Sequence, residues 1–375
     1  MNTSSYKAAL ISAASLLCSA SAMAAGNYAV SFLDTLGGSR SAVTGINNLG
    51  QAVGWIITSG GEQHAVLWDL TTTSDLGTLG GSSRRATAIN DLGQVSGISD
   101  TSIDQHSHAV LWNNKQPSDL GTIGGAKSEG LAINNAGQVA GGAYTANFEA
   151  YHAVVWSQGA VIDLGTLPGG GVSEARAINA SGQAAGYSYT ADGIGHATLW
   201  RDSTVIDLGT LGGQQSYAYG INDAGQVVGW AEMSGTPGLH ATLWDNGKIK
   251  DLGALGASEN TSWASAINNA GIIVGGSQLG GLSHHAVLWD GATMFDLNTL
   301  LDAGSQAEGW EIQGASDIND AGVIVANAFN ARTLQSRGVL ITPSVPEPGA
   351  LFLMFFGLTV LGCSAKFRCF GRSKA

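Results

Sequence analysis

Between residues 19 and 362 the chain contains no cysteine: Cys18 lies near its start, and Cys363 and Cys369 lie near its end. Disulfides, thiolate metal sites and a thiol nucleophile are therefore excluded from the central region. Basic residues are also few. Lys and Arg number 16 against 28 Asp and Glu, and Lys7, Lys366, Arg368, Arg372 and Lys374 belong to the two ends, which leaves 11 in between. So acidic a field repels a phosphate backbone, and nucleic acid is not an expected partner. Helical patterning is missing from the centre as well, where no apolar stripe of helical spacing persists, and a chain with 55 glycines would weaken any helix that formed. There is no GxSxG nucleophile elbow, and no pair of carboxylates suited to glycoside hydrolysis stands out.

What is present is repetition. HAVLW, HAVLW, HAVVW, HATLW, HATLW and HAVLW begin at His64, His108, His152, His196, His240 and His285, spaced 44, 44, 44, 44 and 45 residues apart. A DLG tripeptide keeps the same beat at Asp75, Asp119, Asp163, Asp207 and Asp251, relaxed to DLN at Asp296. An IN-x-x-G turn begins at Ile46, Ile89, Ile133, Ile178, Ile221, Ile267 and Ile318. The runs between these marks are β-branched and apolar and are bounded by Gly, Asn or Asp, so they read as strands, four to a repeat. Asn at the first turn position and Gly at the fourth suit a type I turn. HAxLW is apolar on both faces and needs cover on both, which blades stacked around an axis supply.

Repeats of this length with four short strands predict an all-β, seven-bladed β-propeller over 27–343. Gly338, Val339, Leu340 and Ile341 serve as a degenerate last third strand, and that copy has no DLG strand of its own. Val30 to Gly38 reads VSFLDTLGG, close to VIDLGTLGG at Val205 to Gly213, so the N-terminal strand is expected to complete the final blade and close the ring. The core is then shared among blade interfaces.

The ends carry addresses. Met1 to Ala24 combines Lys7, an apolar stretch from Ala8 to Leu17 and the small-residue site Ala22-Met23-Ala24, the pattern of a secretory signal peptide (1–24) cut by signal peptidase after Ala24. Leu16 and Leu17 argue against lipidation at Cys18. At the other end (344–375), Pro346-Glu347-Pro348 precedes the apolar run 349–365 and then the basic residues. That run can cross an inner membrane, with the basic cluster on the cytoplasmic side. The tripartite tail, VPEP from Val345, apolar helix and basic cluster, resembles the PEP-CTERM sorting signal. The resemblance implies processing by an exosortase near Pro346 to Pro348 and delivery to the cell surface or exopolysaccharide matrix. Composition alone would also describe a retained C-terminal anchor. The repeats, through HAVLW and DLGTLGG, resemble the extracellular HAF repeat family, which implies export and supplies no catalytic residue.

Because the six histidines recur at one strand position, they are read as structural groups rather than as metal ligands or proton relays, and the DLG aspartates as acceptors for turn donors. Asp317 to Gly322 spaces oxygen side chains as a calcium loop does, but Ala88, Ala132, Ala177, Gly220 and Ala266 replace the first Asp in other copies, which favours a plain turn. No metal or cofactor is expected.

The connections from second to third strand and from fourth strand to the next repeat emerge on one face, where the consensus lapses. The loops there are expected to carry Arg84 and Arg85, Asp100, Asp104 and His106, Glu174 and Arg176, Glu232, and the aromatic binding candidates Tyr144, Phe148, Tyr151, Tyr187, Tyr189, Tyr217, Tyr219, Trp230, Trp263 and Trp310. Aromatic faces beside carboxylates suit sugar rings, and they suit blade packing equally. The expected function is a non-catalytic binding or structural module for a polysaccharide or surface component. The alternative is an extracellular propeller enzyme, a lyase or hydrolase, which would gather one-off acids and bases near the axis.

Overall fold

The computed structural model describes residues 28–343 apart from 70–71, 103–105, 236–237, 257–260 and 281–282. The expected signal peptide with Ala22 and Ala24, the Pro346-Glu347-Pro348 motif, the 349–365 helix and Asp104 lie outside the described residues. Among the described residues no helix is long and apolar enough to cross a membrane.

Seven four-stranded sheets make up the compact unit Val30–Thr342. Blade 1 comprises Arg40–Ile46, Ala52–Ile57, Gln63–Asp69 and Thr72–Asp75, running antiparallel from the innermost strand outward. Each innermost strand ends on the Ile of an IN turn, and each HAxLW segment is a third strand. Blade 7 follows the order Trp310–Ile318, Ile324–Asn330, Gln335–Pro343 and then the N-terminal strand Tyr28–Phe32. The expected closure is therefore present. Leu33 N–H donates to Gly338 O at 2.9 Å, as Leu76 donates to Ala65 O in blade 1. Trp68 Nε1 likewise donates to Asp34 O at 2.8 Å, as Trp112 does to Gly77 O one blade on.

The core lies between blades. Val53 and Ala65 of blade 1 pack with Leu76, Ala86, Val95, Val110 and Trp112, and Val43, Ile46 and Trp68 pack with Val325 of blade 7. Serines on the innermost strands add polar ties: Ser128 Oγ accepts from Ala109 N–H at 2.9 Å and donates to Gly121 O at 2.8 Å, and Ser173, Ser216 and Ser262 repeat the pattern. Where blade 7 lacks this serine, Asn298, the residue that turns DLG into DLN, reaches the N–H and C=O of Ile312 instead.

Every innermost strand carries a bulge just before its IN turn. The pairing skips from Val43 to Gly45, Ala86 to Ala88, Gly130 to Ala132, Ala175 to Ala177, Ala218 to Gly220, Ala264 to Ala266 and Ala315 to Asp317. One residue per blade is thus left without a partner across the ladder. The same irregularity brings a carbonyl so close to the second strand that a Cβ at Gly186 would collide with Glu174 O, and one at Gly229 with Tyr217 O. Glycine is required there for close approach.

A closed belt of hydrogen bonds joins the seven IN turns. Each Asn side-chain amide donates to the next blade's Asn carbonyl: Asn47 to Asn90, and so on through Asn134, Asn179, Asn222, Asn268 and Asn319, which donates to Asn47 O at 3.0 Å. The following position forms a second circle in which Asn48, Asp91, Asn135, Asp223, Asn269 and Asp320 exchange amide and carboxylate bonds, with Ala180 as the one member that has no polar side chain.

The join between blades 7 and 1 has further clamps. Asn327 bonds both the N–H and the C=O of Val43 at 2.9 and 3.0 Å, and Asp317 accepts from Ile46 N–H at 3.0 Å and Ile318 N–H at 2.8 Å. The oxygens of the calcium-like stretch are thus committed to backbone and belt. Burial pushes the Asp317 carboxyl up to about 6, against the pull of its two N–H donors. A carboxyl that holds its proton longer when folded contributes stability that is greatest below its unfolded value of 3.8 and is lost as pH rises through about 6. Asp317→Asn should therefore gain stability relative to the wild type as pH rises from about 4 to about 7. Calorimetric melting across that range checks this, and a pH-independent difference would refute it.

Candidate functional site

The unpaired residue of each bulge faces the axis. Thr44, Leu131, Arg176, Tyr219, Ser265 and Ser316 are such residues, and all six line one cavity of about 790 Å³ together with Trp230, Leu239, Trp263, His284, Gln313, Gly314, Ala315 and Asn327. The IN turns line a separate cavity at the other mouth. Thr87, the corresponding residue of blade 2, turns its hydroxyl to Gly130 O at 2.8 Å, and Thr44 bonds Ala86 O at 3.0 Å. Gln313 comes from a second irregularity on the innermost strand of blade 7, between Ile312 and Gly314.

The aromatic candidates are not in loops, as the sequence pattern suggested. Tyr144, Tyr151, Tyr187, Tyr189, Tyr217, Tyr219, Trp230, Trp263 and Trp310 all sit within strands, as do Arg84, Arg85, Asp100, Glu174, Arg176 and Glu232, while Phe148 lies in a short 3₁₀ turn. Short strand ends near the axis carry the same Gly- and Tyr-rich texture as loops, which is why composition misplaced them. Tyr219, Trp230 and Trp263 line the cavity. Tyr217 stacks on Trp230 at 4.7 Å and touches Tyr187 at 4.6 Å, so Tyr217 and Tyr187 stand behind the lining rather than in it. Tyr189 lies 5.9 Å from Tyr187, and Tyr144 packs against Tyr151 and Phe148. Trp310 is buried and belongs to the closure: it packs on Phe32 at 4.8 Å, with the Arg337 guanidinium 5.7 Å from its ring.

That last cluster replaces a motif found in the other six blades. His64 Nδ1 meets Asp75 at 2.6 Å, and His108, His152, His196, His240 and His285 meet Asp119, Asp163, Asp207, Asp251 and Asp296 in the same way. Each Asp also accepts from the N–H two residues on, as Asp75 does from Gly77 at 2.8 Å. Because a carboxylate only accepts, Nδ1 carries the proton. The six pairs join third to fourth strand within single blades, one pair to a blade. Among the described residues no three His, Cys, Asp or Glu side chains gather into a group that could hold a metal ion.

The one-off charges gather on blades 2 to 4 near the axis. Arg176 Nε lies 2.7 Å from Glu174 Oε1, and its guanidinium carbon sits 5.5 Å from the Tyr187 ring and 5.1 Å from the Tyr219 ring. Arg85 faces Glu129 at 3.6 Å. Burial, with Glu129 nearby, raises the Glu174 carboxyl despite Arg176. Burial also raises the Tyr151 hydroxyl, with Glu174 adding to the effect, and takes Tyr187 up to about 12. Trp230 Nε1 donates to the Tyr219 hydroxyl at 3.1 Å, and His284 packs 5.6 Å from Trp263. The sequence reading missed Thr44, Leu131, Leu239, Ser265, His284, Gln313, Ser316 and Asn327. Counting back two residues from the Ile of every IN turn would have found four of them.

The chain matches no protein-family model and no curated relative. Among solved structures, TolB from Acinetobacter baumannii is 12% identical over 76% of this chain and 78% of its own, with a TM-score of 0.41. An Aleuria aurantia lectin variant in complex with alpha-methyl-L-fucoside is 11% identical over 85% and 99%, with a TM-score of 0.37. SapL1 lectin in complex with alpha methyl fucoside gives 11% over 83% and 97%, also at 0.37. Scores of this size transfer neither a residue nor a ligand to this chain.

Proposed function

We propose that the ring is an exported, non-catalytic binding module that takes a saccharide of the cell surface or surrounding matrix into the axial cavity opposite the IN turns. The observation that carries this reading is the cavity wall, where Tyr219, Trp230 and Trp263 supply ring faces and Ser265, Gln313 and His284 supply hydrogen-bonding groups around about 790 Å³. A space of that size, mostly apolar with a few polar groups, suits a small ligand or the end of a chain. Export rests on the Met1 to Ala24 leader, and sorting by an exosortase rests on Pro346, Glu347 and Pro348 with the apolar and basic segments that follow. The inner membrane would then be met only in transit, through 349–365.

Trp263→Ala should weaken saccharide binding by about tenfold, equal to about 1.4 kcal/mol. Tyr144→Ala, outside the cavity lining, should leave it within about twofold. Glycan-array screening followed by calorimetry on the full chain checks both, and equal losses from the two variants would overturn the placement of the ligand. The Glu174–Arg176 pair beside Tyr151 favours a second reading, turnover of the bound sugar by a lyase or hydrolase. Product formation on the same glycans, lost in Glu174→Gln with binding retained, would establish that reading instead.

A further inference from the structure

In a chain where acids outnumber bases 28 to 16, none of the described lining residues is Asp or Glu, while Arg176 and His284 are present. Chance placement would favour the opposite sign. Arg176 is also hemmed in: Glu174 Oε1 lies 2.7 Å from its Nε as an ion pair, and the Tyr187 and Tyr219 rings lie 5.5 and 5.1 Å from its guanidinium carbon. A guanidinium has five N–H donors in a planar fork. The side chain is 37% exposed and lines the cavity, so its donors can reach a ligand there. An arginine confined in this way loses little freedom on binding and matches a planar two-oxygen acceptor.

We propose that the ligand of this cavity is an acidic sugar, a uronic acid residue whose carboxylate is received by Arg176 while its ring lies against Trp263 or Tyr219. The inference rests on the binding reading above and narrows its ligand class. A densely charged polymer does not fit. The chain's net charge of −12 repels a row of carboxylates, since charges within about 10 Å interact at ordinary ionic strength. The ligand is then a lone uronate in an otherwise neutral chain, or its terminus. The remaining ring hydroxyls have Ser265, Gln313 and His284 within the same lining.

The test uses the full chain with three probes: a neutral oligosaccharide bearing one uronate, the same compound with its carboxyl reduced to the alcohol, and an all-neutral oligosaccharide. Calorimetry should show the wild type binding the uronate compound at least about tenfold more tightly than the reduced one. Arg176→Met should erase that difference and keep the weak affinity for the reduced compound, and Arg176→Lys should retain part of the preference, since it keeps the charge without the fork. Equal wild-type affinity for the acid and its reduced form, with Trp263→Ala still weakening both, would overturn the uronate assignment and leave the binding reading intact. Binding of none of the three probes would overturn both.

Discussion

Removing residues 28–38 is expected to turn the closed ring into an associating chain with a melting temperature lowered by roughly 10 °C or more, a loss of about 5 kcal/mol. The deletion takes away the outer strand of blade 7, including the Leu33-to-Gly338 bond, the Asp34 carbonyl that accepts from Trp68, and the Phe32 ring on Trp310. Several large side chains lose cover, each worth about 1.5–3 kcal/mol when fully buried. The strand Gln335–Pro343, nine residues long, becomes an open edge and a template for pairing with another copy. The clamps of Asn319, Asp317 and Asn327 on blade 1 survive, so the inner circle holds while the outer half of the blade is exposed. Light scattering and thermal melting of the deletion variant check this, and a synthetic 28–38 peptide should restore both by adding back the strand. A monomer with unchanged melting would refute the closure.

The second large effect concerns one residue of the belt. Asn134→Ala removes the amide bonds to Asn179 O at 3.0 Å and Gln138 Oε1 at 2.8 Å, and strips Ala136 N–H and Gln138 N–H of their acceptor. Asn134 is buried, so water cannot fully replace what is lost. Leaving buried donors and acceptors unsatisfied costs about 1–3 kcal/mol apiece, and a total of about 3 kcal/mol is expected once the turn relaxes. The neighbouring Asn135→Ala also loses two bonds, Nδ2 to Asp91 Oδ2 at 2.9 Å and the Oδ1 acceptor of Asp91 N–H at 2.9 Å, but the side chain is exposed and the loss should stay below about 1 kcal/mol. Denaturant unfolding of the pair separates the two circles. Equal destabilisation would mean that the inner belt carries no special share.

Much of the ring was legible in the sequence because its marks coincide with structural necessities. The IN pair is a turn whose Asn bonds its own loop and the next blade, HAxLW is a strand covered on both faces, and VSFLDTLGG carries enough of the outer-strand pattern to place the N-terminus in the last blade. The site was less legible. Its residues are those the repeat leaves free, and a bulge, which no residue type announces, decides which of them turns inward. Arg176 and Tyr219 occupy the same register as Thr44 and Ser265, a relation visible only once the pairing is known to slip at that point. Trp310 shows the reverse error, because an aromatic in a variable stretch is the partner of Phe32 and Arg337 where the first and last described strands pair.

The circle of Asn48, Asp91, Asn135, Ala180, Asp223, Asn269 and Asp320 obeys a rule of counting. Amide and carboxylate complement each other when they alternate, and a cycle with an odd number of members cannot be filled with two alternating kinds. One mismatch is compulsory with seven blades, and it falls at Ala180 in blade 4, the blade that also contributes Glu174, Arg176 and Tyr187 to the opposite mouth. Excise that blade and the six remaining members alternate without fault. The parity of the ring thus leaves one repeat unlike its neighbours at this rim, and that same repeat breaks the ring's symmetry at the far end of the axis.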